Sequence, residues 1–488
     1  MKIVNFLSSK MGVKFTTMLV SNRSFRKIAA NVIDKNTHKR LMKSQDDKMP
    51  QKMTEDKQQI VHNIVKTVDR WVGNGNTSRK VFKNFLTGFA KAFSGNEAVK
   101  KKFSMTYGFN PPSFLTISPT KRCNLKCKGC YASSSAASAE TLDFDVVDRI
   151  VREQKELWAS HFTVISGGEP FLYRSQGKGI LDLAERHPDT FFLVYTNGTL
   201  ITKEVAHRIA ELGNITPAIS VEGFQEETDE RRGDGTHRKI LNAFKNLREE
   251  GVLFGLSVTA TKFNSKLILS SEFIDYYVDK LGAYYIWIFQ YMPIGRGFSL
   301  GLMVSPEQRV EMLRKTRKWM FERELFIADF WNSATLSNGC IAAGRHEGGG
   351  YIYIDWSGNV MPCVFNPYSQ DNILLRYKSG GNLNDILMSP IMRGIREWQK
   401  AYINNSKPGR YGNMLIPCPI RDHHKDMREI IEKSKANPVD EPAKHALEDK
   451  EYYRGMYLYD ERIADITDRI WEKEFLRGKE HPDEKEEN

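Results

Sequence analysis

Long apolar runs are missing from this 488-residue chain, and no segment approaches the ~18 uninterrupted apolar residues of a membrane span. The first twenty residues, MKIVNFLSSKMGVKFTTMLV, are broken by Ser8, Ser9, Lys10 and Lys14, with no small-residue cleavage site after them. They do not read as an export signal. Cysteine is scarce, with six in all, and no Ser-His-Asp set or carboxylate pair stands out. The hydrolytic chemistries built on those sets therefore have no support, and no general acid or base is assigned. A cytoplasmic setting is expected, and in a reducing compartment clustered cysteines act as metal ligands rather than disulfides.

Acidic residues are also short over residues 1–110, which hold 22 Lys/Arg against 7 Asp/Glu. The local excess is 22 − 7 = +15; since the whole chain carries +12, the other 378 residues sum to −3. The basic character belongs to the N-terminal region and needs its own explanation. Three are open: a solvated helical region, an anionic membrane surface, or steering of an acidic substrate. No recognised nucleic-acid module accompanies the charge, so no nucleic-acid partner is expected. The membrane reading would place the chain peripherally at the inner membrane face.

What is present is periodicity. Ile60, Ile64, Val68 and Trp71, and then Phe82, Phe85, Phe89 and Phe93, recur at helical steps. The polar stretch 43–59, with Pro50, reads as a linker or loop. From residue 112 the pattern changes to short strands: SFLTISPT, FTVISGG, FFLVYTNG, TPAISVEG, FGLSVTAT and YIWIFQYMP. Helical stretches lie between them at roughly 143–159, 178–187, 202–213, 237–250 and 266–280, and another follows at 306–323. Such alternation predicts an α/β fold with a parallel sheet covered by helices, its chemistry in loops at the strands' C-terminal ends. Residues 335–425 are richer in glycine and contain a hairpin around Ser357-Gly358-Asn359. The last sixty residues read as charged helix, with a disordered end, GKEHPDEKEEN.

Three of the six cysteines, Cys123, Cys127 and Cys130, fall in the loop after the first strand. Zinc sites usually bring two ligand pairs. Here no fourth Cys or His occurs before His161, so a metal position is left without a protein ligand. An iron–sulfur cluster that binds something from outside the protein suits three thiolates. The stretch CNLKCKGC resembles the Cys-x3-Cys-x2-Cys signature of radical S-adenosylmethionine (SAM) enzymes. The resemblance implies a [4Fe-4S] cluster whose fourth iron is chelated by SAM, and reductive cleavage of SAM to a 5′-deoxyadenosyl radical that abstracts a substrate hydrogen. It also implies a partial (β/α)6 TIM-like barrel. The family often carries an aromatic just before the third cysteine; this chain has Gly129 there, and Tyr131 after the cysteine. SGGEP, ending the second strand, stands where the family has Gly-Gly-Glu-Pro. By resemblance Gly167, Gly168, Glu169 and Pro170 face the methionine amine of SAM. The resemblance also implies SAM-facing positions for Thr196 and Asn197 in YTNG and for Ser220 and Glu222 in SVEG, the last two being equally readable as capping or structural residues. Glu222 stands where Asp is common in the family, and Arg232-Gly233 follows.

Cys340, Cys363 and Cys418 are widely spaced, and buried structural thiols are one reading of them. The segment CIAAGRHEGGGYIYIDWSGNVMPC also resembles the SPASM or twitch extensions of the same family, which bind auxiliary [4Fe-4S] clusters. The resemblance implies one auxiliary cluster on these three cysteines, with a fourth ligand from another residue, solvent or substrate; Asp422, His423 and His424 lie near in sequence. Four units are expected: a basic helical region (1–110), the barrel (111–325), a small cysteine-containing C-terminal domain (326–430) and a charged helical tail (431–488). The family's members imply a peptide or protein substrate, or a lipid or isoprenoid one, and an electron donor such as flavodoxin or ferredoxin. A non-catalytic iron–sulfur scaffold is the rival reading.

Overall fold

Four apolar residues, Phe114–Ile117, form β1 and begin the sheet that organises the molecule. The computed structural model describes residues 49–75, 77–78, 80–85, 96–404 and 412–476, with residues 24, 28, 31 and 35. After β1 come β2 (Phe162–Ile165), β3 (Phe191–Thr196), β4 (Ile215–Val221), β5 (Gly255–Ala260) and β6 (Tyr285–Gln290), each parallel to its predecessor. Helix α1 (Gln51–Gly73) precedes the sheet; α2 (Phe144–Trp158), α3 (Ile180–Arg186), α4 (Lys203–Leu212), α5 (Gln225–Arg232) and α6 (Thr236–Glu249) lie between its strands. In α2, Val147, Ile150, Val151 and Trp158 fall at three- and four-residue steps and are fully buried, which is why this segment becomes a helix packed on the sheet.

Two more parallel strands extend the expected six. β7 (Phe326–Asp329) adds to β6, and β8 (Tyr351–Ile354) adds to the other edge beside β1. β9 (Asn359–Met361) returns antiparallel from β8, so the predicted hairpin is joined edge-on to the barrel sheet. Its turn is held by Asp355, which accepts the N–H groups of Ser357 and Asn359 at 2.9 Å each. The sheet curls strongly. Thr216 on β4 meets the Tyr285 hydroxyl on β6 at 2.8 Å, and Tyr195 on β3 meets Phe289 on β6 at 5.3 Å between ring centroids. The barrel stays open, since β7 and β8 do not pair, although Phe330 just past β7 comes within 6.5 Å of Tyr351.

The N-terminal helix forms a floor under this barrel. Trp71 donates its indole N–H to Gly251 O at 2.9 Å, just before β5. Asn63 donates to Leu325 O at 2.7 Å before β7, and Asn84 to Glu211 O at 2.6 Å before β4. Phe85 packs edge-on against Phe191, the first residue of β3, at 5.5 Å. Burial of Phe82 and Phe85 contributes about 1.5–3 kcal/mol each, so the region is anchored by its apolar face. The expected linker at 43–59 needs correction, because residues 51–59 are the first turns of α1. Pro50 precedes the helix, where its missing N–H costs nothing, and the polar residues serve docking: Asp56 pairs with Arg317 and accepts from Thr335 at 2.9 Å. Phe89, Phe93, the tail 478–488 and most of residues 1–48 lie outside the described residues.

On the C-terminal side, Ser305 caps α7 (Pro306–Glu322) by accepting from Gln308 N, and the Gln308 side chain returns the contact. Beyond β9 come α8 (Pro390–Asn404), α9 (Pro419–Asp422), α10 (His424–Ser434) and α11 (Lys450–Ile470). α11 lies against the segment that leaves β6: Tyr452 donates to Pro293 O at 3.3 Å, and Gly455 faces Leu300. Among the described residues, no helix is long and apolar enough to cross a membrane.

Candidate functional site

The loop from β1 carries Cys123, Cys127 and Cys130 as free thiols at the C-terminal edge of the sheet. Burial pushes the Cys123 thiol up to about 12, so it would shed its proton only to a strongly positive partner such as iron. Its sulfur already faces two donors, Leu125 N at 3.4 Å and Asn197 Nδ2 at 3.8 Å.

The neighbouring strand ends lock this loop in place. Gly167 and Gly168 let the β2 turn lie against the loop's backbone: a Cβ on Gly168 would sit 2.2 Å from Arg122 O. Gly168 N donates to Thr120 O and Glu169 N to Arg122 O, both at 2.9 Å. The close approach that these glycines permit is thus partly to the cysteine loop itself. Glu169 is fully buried, and its carboxylate accepts from Phe171 N (3.1 Å), Thr196 Oγ1 (2.7 Å) and Asn197 N (2.8 Å). Burial raises its pKa while these donors oppose the rise. Pro170 opens a short turn, Pro170–Leu172. Asn197 donates to Asn124 Oδ1 at 2.9 Å, joining the β3 end to the cysteine loop.

At the end of β4, Ser220 is half-buried and Glu222 buried. Glu222 Oε1 takes both Arg231 and Arg232, whereas Oε2 has no partner among the described residues. A buried carboxylate oxygen left open beside the cysteine loop is suited to a ligand hydroxyl. Burial works against the charge on Arg232, but Glu222 and then Cys127 raise its pKa overall. Ser133 and Ser134, just past Cys130, also carry buried hydroxyls without partners among the described residues. These open polar atoms, with three thiols in one loop, fit a cluster that carries a polar ligand. Sequence reasoning missed Tyr291 and Arg296, which follow β6. The Tyr291 ring fills the space over Gly129, where a Cβ would stand 2.8 Å from Tyr291 Cε2. An aromatic thus reaches the cysteine loop from a distant strand, and the only sequence trace of it is a Tyr and a Gly-Arg pair just beyond an apolar run.

The fold also gathers Cys340, Cys363 and Cys418. Burial pushes Cys363 up to about 12, with Cys340 the next cause. Cys418 is raised by burial, then by Asp422, Cys340 and Cys363, so the three thiols share one neighbourhood. One turn past Cys418, the Arg421 guanidinium stacks 4.9 Å from the Trp331 ring. Arg421 Nε and Nη1 and Trp331 Nε1 are buried without acceptors among the described residues. Unpaired N–H donors beside three thiols fit a sulfur-rich cluster, whose sulfurs accept hydrogen bonds. Among the described residues, no three His, Cys, Asp or Glu side chains converge as one metal ion would require. A cluster that places its thiolates on separate irons does not need such convergence. Of the polar neighbours, Asp422 is taken by Arg309 in a buried ion pair (Nη2 to Oδ2 3.1 Å), and His423 Nε2 is bonded to Ile416 O at 2.8 Å. His424 Nδ1 donates to Ile420 O at 3.2 Å, which leaves Nε2 as an acceptor without a partner among the described residues. A row of rings, Tyr195, Phe289, Phe365 and Trp331, runs through the barrel toward Arg421.

Residues 117–262 match the model of the Radical SAM superfamily. The chain is 32% identical over 148 residues to the Fe-coproporphyrin III synthase of Methanosarcina barkeri, covering 30% of this chain and 36% of that one. It is 28% identical over 310 residues to the mycofactocin maturase MftC of Mycobacterium tuberculosis, covering 60% and 75%. The chain thus spans about a third of the length of the first relative and three quarters of the second. The crystal structure of Streptococcus suis SuiB bound to precursor peptide SuiA superposes with a TM-score of 0.49 at 19% identity, over 61% of this chain and 70% of that one. The family match runs from the last residue of β1 to just past β5 and takes in the cysteine loop, so over residues 117–262 this chain is similar to the radical SAM superfamily.

Proposed function

We propose that Cys123, Cys127 and Cys130 hold the superfamily's [4Fe-4S] cluster with one iron left for SAM, and that the enzyme abstracts hydrogen from a peptide or protein substrate. When bound, the cluster supplies one-electron reduction of SAM, the source of a 5′-deoxyadenosyl radical. The observation that carries this reading is the bracing of one three-thiol loop by the ends of β2, β3 and β4, with Glu222 Oε2 left open beside it. Gly167, Gly168, Glu169 and Pro170 would border the methionine end of SAM. Thr196 and Asn197 would hold that border to the cysteine loop, and Ser220 and Glu222 would face the ribose or carboxylate. Cys340, Cys363 and Cys418 would hold an auxiliary cluster at the far end of the aromatic row. A reduced flavodoxin or ferredoxin would deliver the electron, in the cytoplasm.

The relatives' names divide between maturation and the synthesis of Fe-coproporphyrin or heme. The maturase aligns over 310 residues, beyond the barrel, against 148 for the iron–porphyrin synthase, and this favours the peptide substrate. The test is anaerobic reconstitution followed by incubation with SAM, dithionite and any short peptide found encoded beside the gene. Iron near eight per chain and reductant-dependent 5′-deoxyadenosine support the two-cluster enzyme, each cluster bringing about four irons. A mass change on the peptide supports the substrate class. An unaltered peptide alongside a modified porphyrin or lipid would overturn that class.

A further inference from the structure

We propose that Arg296 is a positioning residue for the SAM-binding iron, fixing the cysteine loop from the β6 side so that its thiols keep one spacing. The inference rests on the cluster assignment proposed above. Beyond β1 the loop has only isolated bridges, Thr120 with Thr141 and Arg122 with Ser135, and a local bond from Ser133 N to Cys130 O at 3.1 Å, so donors from outside add to a sparse local set. Arg296 supplies three N–H groups. Its backbone N–H donates to Cys130 O at 2.9 Å, Nη1 to Cys127 O at 3.0 Å, and Nη2 to Ser134 O. One residue thus holds the carbonyls of two of the three cysteines and of the turn beyond them.

The approach depends on glycine. Gly295 has φ +70°, and a Cβ there would stand 2.3 Å from Tyr131 O and 2.5 Å from Cys130 O. On the loop side Gly129 has φ +64° and accommodates the Tyr291 ring. A glycine on each partner lets the two segments interlock, and the side chains at either end of the β6 segment, Tyr291 and Arg296, fill the contact. From the β4 side Lys128 exchanges bonds with Arg231: Lys128 N to Arg231 O at 3.0 Å, and Arg231 Nε to Lys128 O at 3.2 Å. Without Arg296 the segments around Cys127 and Cys130 would sample many conformations, and the iron they carry would lose its place relative to the β2 and β4 loops. Lysine cannot substitute fully, because an ammonium lacks the planar fork that spans two separated carbonyls.

The experiment uses the full chain, reconstituted anaerobically and reduced, with SAM titrated while the cluster's EPR spectrum and midpoint potential are recorded. Arg296→Met is expected to need at least about tenfold more SAM for the SAM-dependent spectral change, since hydrogen bonds from a charged donor are lost. Arg296→Lys should fall between Arg296→Met and the wild type. If Arg296→Met does not fold, Gly295→Ala tests the same contact by forcing Arg296 away, and the same rise in SAM requirement is expected. Unchanged SAM dependence and potential in the folded variants would overturn the role of Arg296 alone. A wild-type protein with no SAM-dependent spectral change would overturn the cluster assignment and this inference with it.

Discussion

The two cysteine groups reach their sites by opposite routes. Cys123, Cys127 and Cys130 lie within one loop, so local sequence brings them together and the surrounding strand ends only tune their spacing. Cys340, Cys363 and Cys418 come from a segment before β8, the end of β9 and the start of α9, and only packing makes them neighbours. The first group is braced through the loop's own backbone, which the segments after β2, β4 and β6 contact, and through Asn124, which the Asn197 side chain after β3 reaches. The second is braced by buried side chains, chiefly the Arg309–Asp422 pair that also receives Cys418 N. A locally encoded site should therefore fail when a ligand is lost, and an assembled one also when its scaffold is loosened.

The largest effect is expected from Cys127→Ala. It should reduce 5′-deoxyadenosine formation to background and lower iron by about four per chain, as followed by chromatography and iron analysis. Product formation at wild-type level would remove the first site from the argument. Next, Cys363→Ser should also lower iron by about four per chain and abolish substrate modification, while SAM cleavage continues uncoupled. Simultaneous loss of SAM cleavage would show that the two groups act as one unit and erase the contrast.

Loosening the scaffold comes third. Arg309→Met leaves the fully buried Asp422 carboxylate unpaired and should cost about 3–5 kcal/mol in urea unfolding. Iron should be lost first from the second group. Uniform loss from both groups would contradict the assembled-site picture. The smallest effect concerns Asp460, whose carboxyl is pushed up to about 8 by burial first and then by Asp422. A raised carboxyl keeps its proton in the folded chain after the unfolded chain has released it. The stability this confers is complete below the ordinary carboxyl range and is lost as pH rises through about 8. Asp460→Asn should flatten that slope, so the variant gains on the wild type between about pH 5 and pH 8 in urea midpoints. Parallel curves would show that Asp460 does not titrate in this range.

Much of the barrel was legible because β1 to β6 are short apolar runs separated by helices with clear spacing. β7 was harder to see, since an edge strand of four residues carries little pattern; the hairpin of β8 and β9 was expected, but its pairing with β1 joins residues more than 200 positions apart. Residues 51–59 looked like a linker because their polarity serves docking, as Asp56 does with Arg317, rather than solvation alone. Gly167 and Gly168 were recognisable as close-approach residues, but which surface they approach depended on the position of Arg122. Tyr291 and Arg296 escaped notice because nothing local distinguishes them from any aromatic or arginine after a strand.

The sequence by itself determined the three-thiol loop, its place after β1 and the alternation that builds a parallel sheet, because ligand spacing and strand period are encoded over a few residues. Only the tertiary structure decided that Cys340, Cys363 and Cys418 are neighbours, that α1 floors the barrel, and that Arg296 clasps the first loop. Those contacts join residues tens to hundreds of positions apart, and only the curl of the sheet and the packing of its core bring them together.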